Sequence, residues 1–205
     1  MTTTYDPSDP VYVDEADVRG ELTRVFDLCQ GCRRCVELCT AFPTLFEMID
    51  SRDDRDAGFL TPAQQDHVVD ECFQCTLCHL NCPYAPGMHE WSLDFPRLVL
   101  RARAMQYANG ITSTRDRVTL QLIGRADTVG RLATTTASMA NRLLSSKPGS
   151  SVRRVAAKVT GASPTRLLPS YAKQRFSTWF AKRPTVKLTQ RQGRVTVFAT
   201  CLVEY

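Results

Sequence analysis

CQGCRRCVELC, residues 29–39, and CFQCTLCHLNC, residues 72–82, decide how this chain is read. Each stretch spaces its cysteines as C-x2-C-x2-C-x3-C: Cys29, Cys32, Cys35 and Cys39, then Cys72, Cys75, Cys78 and Cys82. Every cysteine of the second stretch lies 43 residues beyond its counterpart, so the chain carries an internal repeat. Three cysteines within seven residues force a tight, looping backbone whose thiolates converge. The fourth is expected to point the other way, because the chain there turns into a helix. Metal ligation needs thiolates, so metal binding and folding should be coupled here.

This spacing resembles the runs that hold cubane iron–sulfur clusters in bacterial two-cluster ferredoxins, and the second run closes, as theirs do, with Cys82-Pro83. The resemblance implies two [4Fe-4S] clusters with crossed ligation. One takes Cys29, Cys32, Cys35 and Cys82; the other takes Cys72, Cys75, Cys78 and Cys39. The first run departs from the pattern, closing with Cys39-Thr40 and meeting a proline only at Pro43. Structural zinc prefers paired C-x2-C knuckles separated by a longer loop, which matches poorly. A disulfide framework would need an export signal. The opening MTTTYDPSDPVYVDEADVRG has neither a basic n-region nor an apolar h-region, which implies a reducing, cytoplasmic setting.

Around the cysteines the apolar residues repeat at helical spacing. Residues 1–13, rich in Thr, Asp and Pro, read as a flexible tail. From Asp14 a helix carries Val18, Leu22, Val25 and Phe26 on one face and delivers the chain to Cys29. Phe42, Leu45, Phe46 and Ile49 mark a second helix, followed by a charged loop from Ser51 to Gly58. Thr61-Pro62-Ala63-Gln64 is a helix start, and Val68 and Val69 follow before Cys72. A helix over 91–107 uses Leu93, Leu98, Val99 and Met105. The spacing predicts a fold that is mainly α: an all-helical two-cluster module over 14–108, without the hairpins of minimal ferredoxins.

The rest is basic. Residues 1–95 hold 18 Asp/Glu against 6 Lys/Arg, a net of −12; residues 96–205 hold 20 Lys/Arg against 3 Asp/Glu, a net of +17. Such asymmetry suits two halves that embrace, a basic face for a partner or anionic lipid, or simply a solvated surface. The region 109–190 reads as basic and helical. Val118, Leu122, Val129, Leu132, Met139 and Leu143 recur over a long helix from Thr114 to Leu144, which Gly124 and Gly130 weaken. A break at 145–151, a short helix over 152–159 and an aromatic cluster of Phe176, Trp179 and Phe180 follow. Residues 191–205 contain the one convincing strand, from Arg194 to Cys201.

Beyond the paired runs, Arg101-Ala102-Arg103-Ala104 and the segment RLLPSYAKQRFSTWF, residues 166–180, make the chain similar to a family. It resembles the iron–sulfur subunit of anaerobic glycerol-3-phosphate dehydrogenase, one of the heterodisulfide reductase-related iron–sulfur proteins. The resemblance implies a ferredoxin-like module followed by cysteine-rich CCG domains. Residues 195–205 are similar to the opening of such a domain, with Cys201 as its first cysteine. The further CCG cysteines are absent, so the chain reads as stopping at the start of that domain, and Cys201 as an inert, half-buried thiol.

These readings converge on an electron-transfer protein or oxidoreductase subunit, rather than a complete enzyme, whose eight cysteines hold two [4Fe-4S] clusters. The implied partners are a redox protein, either a flavoprotein dehydrogenase or a chain carrying CCG domains. Lys173, Arg175, Trp179, Phe180, Lys182 and Arg183 would suit a peripheral contact with the cytoplasmic membrane or a flavoprotein, though ordinary packing of those aromatics into a core is the plainer reading. The alternative is a non-redox zinc scaffold, or a nucleic-acid module using the basic half. The chain shows no recognisable nucleic-acid module. His67, His79 and His89 flank the second run; with eight cysteines present none is needed as a ligand, and His79 suits a hydrogen bond to sulfur. No catalytic constellation is present.

Overall fold

Asp14 starts the first helix. Its carboxylate accepts the Asp17 N–H at 2.9 Å, and Glu15 and Asp17 place negative charge in the first turn, where the helix dipole favours it. The computed structural model describes residues 4–144, 147–160, 163–167, 169–184, 193 and 195–205. They divide into two compact units, Met1–Thr112 and Ser113–Tyr205. The described residues are mainly helical and contain no strand.

In the first unit, α1 (Glu15–Cys32) buries Val18, Leu22, Val25 and Phe26. It includes Cys29 and Cys32 and ends at Arg33, whose φ of 51° is left-handed. That guanidinium is fixed by both oxygens of Asp50, at 2.7 and 2.5 Å. Helix α2 (Ala41–Asp50) buries Phe42, Leu45, Phe46 and Ile49. A 3-10 turn (Ala57–Phe59) then leads to α3 (Pro62–Asp70). Its capping box is complete: Thr61 Oγ1 accepts from Gln64 N at 3.3 Å, and Gln64 Oε1 from Thr61 N at 2.9 Å. Helix α4 (Leu77–Asn81) is a short turn between Cys75 and Cys82.

Helix α5 (Phe95–Ala108) begins later than the apolar pattern predicts. Asp94 sets the start by accepting the Arg97 N–H at 3.1 Å, with Pro96 in the first turn. Leu98, Val99, Ala102 and Met105 face one core shared with α1, α2 and α3. At its centre Phe95 lies 4.8 Å from Phe42 and 6.3 Å from Phe26, ring to ring.

The leading residues are not a loose tail throughout. A 3-10 turn (Pro10–Val13) buries Tyr12, and the fully buried Arg101 of α5 reaches it. Arg101 donates to the Tyr12 carbonyl at 2.8 Å, the Val11 carbonyl at 2.7 Å and Asp17 Oδ2 at 2.6 Å. A composition rich in Thr, Asp and Pro cannot reveal a partner 90 residues away.

The second unit corrects two expectations. The long helix is three helices: α6 (Thr114–Gly124), α7 (Ala126–Thr135) and α8 (Ala137–Leu144), broken at Arg125 and Thr136. Its apolar stripe is not a core, because Val118, Leu122, Leu132 and Met139 are 49–67% exposed. Gly130 is less a weak point than a seat, since a Cβ there would overlap the Tyr205 ring. Helices α9 (Ser151–Thr160) and α10 (Phe176–Lys182) follow. The aromatics of α10 stack on one another, yet Trp179 is 53% exposed.

The expected strand is the second correction. Arg194 lies outside the described residues, residues 195–200 form no strand with any described residue, and Cys201 opens a single helical turn, α11 (Cys201–Glu204). A strand needs a neighbour to satisfy its backbone, and β-propensity alone does not supply one. Among the described residues no helix is long and apolar enough to cross a membrane.

Arg101→Met should lower the unfolding free energy of the first unit by about 3 kcal/mol, because two carbonyls and Asp17 lose a buried donor. Urea unfolding followed by circular dichroism checks this; an unchanged midpoint would show that the N-terminal turn contributes nothing.

Candidate metal centre

The two cysteine runs occupy different local structures although their spacing is the same. In the first, α1 continues through Cys29 and Cys32, the left-handed Arg33 turns the chain, and Cys35 sits in the turn that leads to Cys39. In the second, α3 has ended before Cys72, Gln74 and Thr76 are left-handed at φ 56° and 62°, and Cys78 lies in α4. Cys82 closes that helix. The fourth cysteine therefore follows a helix only in the second run; Cys39 follows a turn.

Cys29, Cys32, Cys35 and Cys82 line one cavity, walled by Phe42, Phe46, Tyr84 and Leu93, with Arg34 also lining it. The fourth thiol of the second run thus joins the first three of the first run. For the other set, the link runs through Thr40, whose hydroxyl donates to the Glu71 carbonyl at 3.3 Å. That bond ties the residue after Cys39 to the residue before Cys72. It gives Thr40, in place of the expected proline, a structural use. Cys39 also acts electrostatically on both Cys72 and Cys78. Cys78 in turn is felt by Cys29, so the two sets adjoin.

Burial pushes the Cys29 thiol far up, and the neighbouring Cys82, Cys35, Cys78 and Cys32 push it further. Burial likewise raises Cys35, Cys72 and Cys82 and takes Cys78 up to about 12, with nearby thiols adding to each. Opposing this are donors aimed at sulfur. The Gln74 N–H donates to Cys72 Sγ at 3.5 Å, and the backbone N–H groups of His79 and Tyr84 donate to Cys78 and Cys82. Arg103 lowers Cys72 through space, and Arg34 lowers Cys35 and Cys82. Donors gathered around crowded, desolvated thiols suit a cationic group that binds them as thiolates.

Among the described residues, no three His, Cys, Asp or Glu side chains converge on a point that could hold one metal ion. A cubane makes no such demand, since each of its irons takes a different cysteine. Eight thiols in two runs are the donor set that two four-iron clusters would take. Cys29, Cys32, Cys35 and Cys82 would hold one, and Cys39, Cys72, Cys75 and Cys78 the other.

The histidines stand aside. His79 places Nδ1 3.8 Å from Asp94 Oδ1, and it is its backbone, not its imidazole, that reaches sulfur. His89 Nδ1 accepts from Trp91 N at 3.1 Å, and His67 sits in the last turn of α3. Cys201 is exposed rather than half-buried. Sequence reading did not foresee Arg103, which donates to the Cys72 carbonyl at 2.7 Å and the Val69 carbonyl at 3.0 Å. Nor did it foresee Gln74, whose amide bonds the Pro96 carbonyl at 3.2 Å. The basic repeat around Arg101 and Arg103 was the only signal available.

Over 88 residues the chain is 26% identical to Citrate utilization protein B of Escherichia coli; the match covers 43% of this chain and 21% of that protein. The chain thus matches about a fifth of that relative's length. No family model matches the chain, and no solved structure matches it.

Because these thiols are raised above the ordinary value of 9.0, their protonated state stabilises the metal-free fold fully below that pH, and the stabilisation is lost as pH climbs towards about 12. The reduced, metal-free chain should therefore lose thermal stability between about pH 9 and 12, and Cys78→Ala should flatten the decline. Melting curves across that range check it; a flat profile in the parent chain would contradict the burial of these thiols.

Proposed function

We propose that this chain is an iron–sulfur electron-transfer protein or an electron-transfer subunit of an oxidoreductase. It relays single electrons through two [4Fe-4S] clusters from a partner, of which a flavoprotein is the preferred kind, to a further acceptor. The observation that carries the reading is the meeting of Cys82 with Cys29, Cys32 and Cys35 around one cavity. A chain built for two independent zinc knuckles has no reason to lend the last cysteine of one run to the other. A [4Fe-4S] cluster supplies one-electron exchange at a potential set by its surroundings.

The protein's own contribution is to that setting. Phe42, Phe46, Tyr84 and Leu93 exclude water from the first set. The N–H groups of Gln74, His79 and Tyr84, with Arg34 and Arg103, favour the charged sulfurs and would raise the potential of whatever they hold. The adjoining of Cys29 and Cys78 supports exchange between the two sets. The likeness to a citrate utilization protein supports a metabolic setting. The finer kinship, with the iron–sulfur subunit of anaerobic glycerol-3-phosphate dehydrogenase, is part of this proposal, as is a partner chain carrying CCG domains. The zinc or nucleic-acid alternative has no observation in its favour beyond the basic second unit.

Cys82→Ser and Cys29→Ser should remove the same paramagnetic signal and reduce iron from about eight to about four per chain, while Cys39→Ser removes the signal lost with Cys72→Ser. Electron paramagnetic resonance on anaerobically reconstituted variants reads this. If Cys82→Ser behaves like Cys72→Ser, the crossed ligation is wrong.

A further inference from the structure

We infer that electrons enter or leave at the second cysteine set, through a docking face that takes a basic redox protein with an apolar contact edge. The inference rests on the electron-carrier reading above and adds to it a place and a kind of partner. Three observations carry it.

The first is asymmetry of access. Of the eight run cysteines only Cys75 is exposed, whereas the first set is walled by aromatics. Electron tunnelling falls steeply with distance, so the more open set is the one a partner can approach. The second is apolar surface where none is needed for folding. Phe73 is 72% exposed, Leu77 48% and Leu80 79%. Leu77 and Leu80 stand three apart on α4 and so share a face, and Phe73 lies two residues before Cys75. Large apolar side chains exposed around a reactive group mark a contact surface. The third is charge. From Asp56 to Pro96 there are six Asp/Glu and no Lys or Arg. Arginines from outside the segment offset part of this, Arg19 pairing with Asp66, Arg97 with Asp94, and Arg103 bringing its charge to the carbonyls of Val69, Asp70 and Cys72, yet three such charges against six acids leave the segment negative. An apolar patch in an acidic segment complements a partner whose apolar edge is ringed by Lys and Arg.

The sign of the charge makes the inference separable from unspecific encounter. The sequence's net +5 counts the cysteines as neutral; eight thiolates holding two reduced clusters bring the loaded chain to about −1, so a basic partner meeting it at random feels little net charge and salt hardly changes the encounter. A partner steered to the acidic segment is attracted, and added salt slows it.

The test uses the full chain, anaerobically loaded and reduced, mixed in a stopped-flow instrument with oxidised cytochrome c as the basic probe and with ferricyanide as a small oxidant that needs no docking. The rate with cytochrome c should fall as salt rises. Phe73→Ser combined with Leu80→Ser should lower it by about tenfold, with iron content and the ferricyanide rate unchanged. A cytochrome c rate that does not fall as salt rises, or is untouched by the double variant at full iron content, overturns the docking face and leaves the electron-carrier reading standing. Self-association of the parent chain that the double variant abolishes would assign the patch to a second copy and overturn it too. A chain that binds no iron at all brings down both.

Discussion

Five thiols, those of Cys29, Cys35, Cys72, Cys78 and Cys82, crowded where neither water nor counter-charge reaches them freely, are the constraint on which this molecule depends. Burial and mutual repulsion both oppose ionisation, and Cys29 and Cys78 are raised furthest. A fold that gathers such groups must keep them protonated or give their charge to something that binds it. The backbone N–H groups aimed at Cys72, Cys78 and Cys82, with Arg34 and Arg103 near by, work against that rise and towards the thiolate.

The helical frame exists to bring two distant runs together. Helices α1 and α3 each lead into a run, and α5 packs against both. Its residues also tie down the surroundings: Arg103 holds the backbone at Cys72, the Pro96 carbonyl takes the Gln74 amide, and Arg101 secures the N-terminal turn. The bidentate pair of Arg19 with Asp66, at 2.7 and 3.1 Å, fastens α1 to α3 at side chains that are only 13% and 19% exposed. Thr40 and Glu71 then close the distance between the runs themselves. Packing and polar ties thus serve one end, a fixed separation between the sulfur atoms.

Much of this was readable in the amino-acid order, for a physical reason. Val18, Leu22, Val25 and Phe26, then Phe42, Leu45, Phe46 and Ile49, repeat at helical spacing because one face must be buried, and all are buried. The capping box at Thr61 is a local signal and was local in outcome. What escaped were ties across long separations, Arg101 to Tyr12 and Arg103 to Cys72, since no spacing rule links residues so far apart. In the second unit, periodicity misled: Val118, Leu122, Leu132 and Met139 keep helical spacing yet are exposed, and residues 195–200 keep β-propensity without a partner strand among the described residues. The two cysteine runs were legible as runs. Which cysteines belong together came from the resemblance to ferredoxins, and only the cavity around Cys82 and the bond from Thr40 give it a basis in this chain's geometry.

The most direct measurement is the iron and acid-labile sulfide content of the chain prepared without oxygen, with zinc determined on the same sample. The account predicts about eight irons and about eight sulfides per chain and negligible zinc. Zinc in place of iron, or fewer than about four irons per chain, would contradict it.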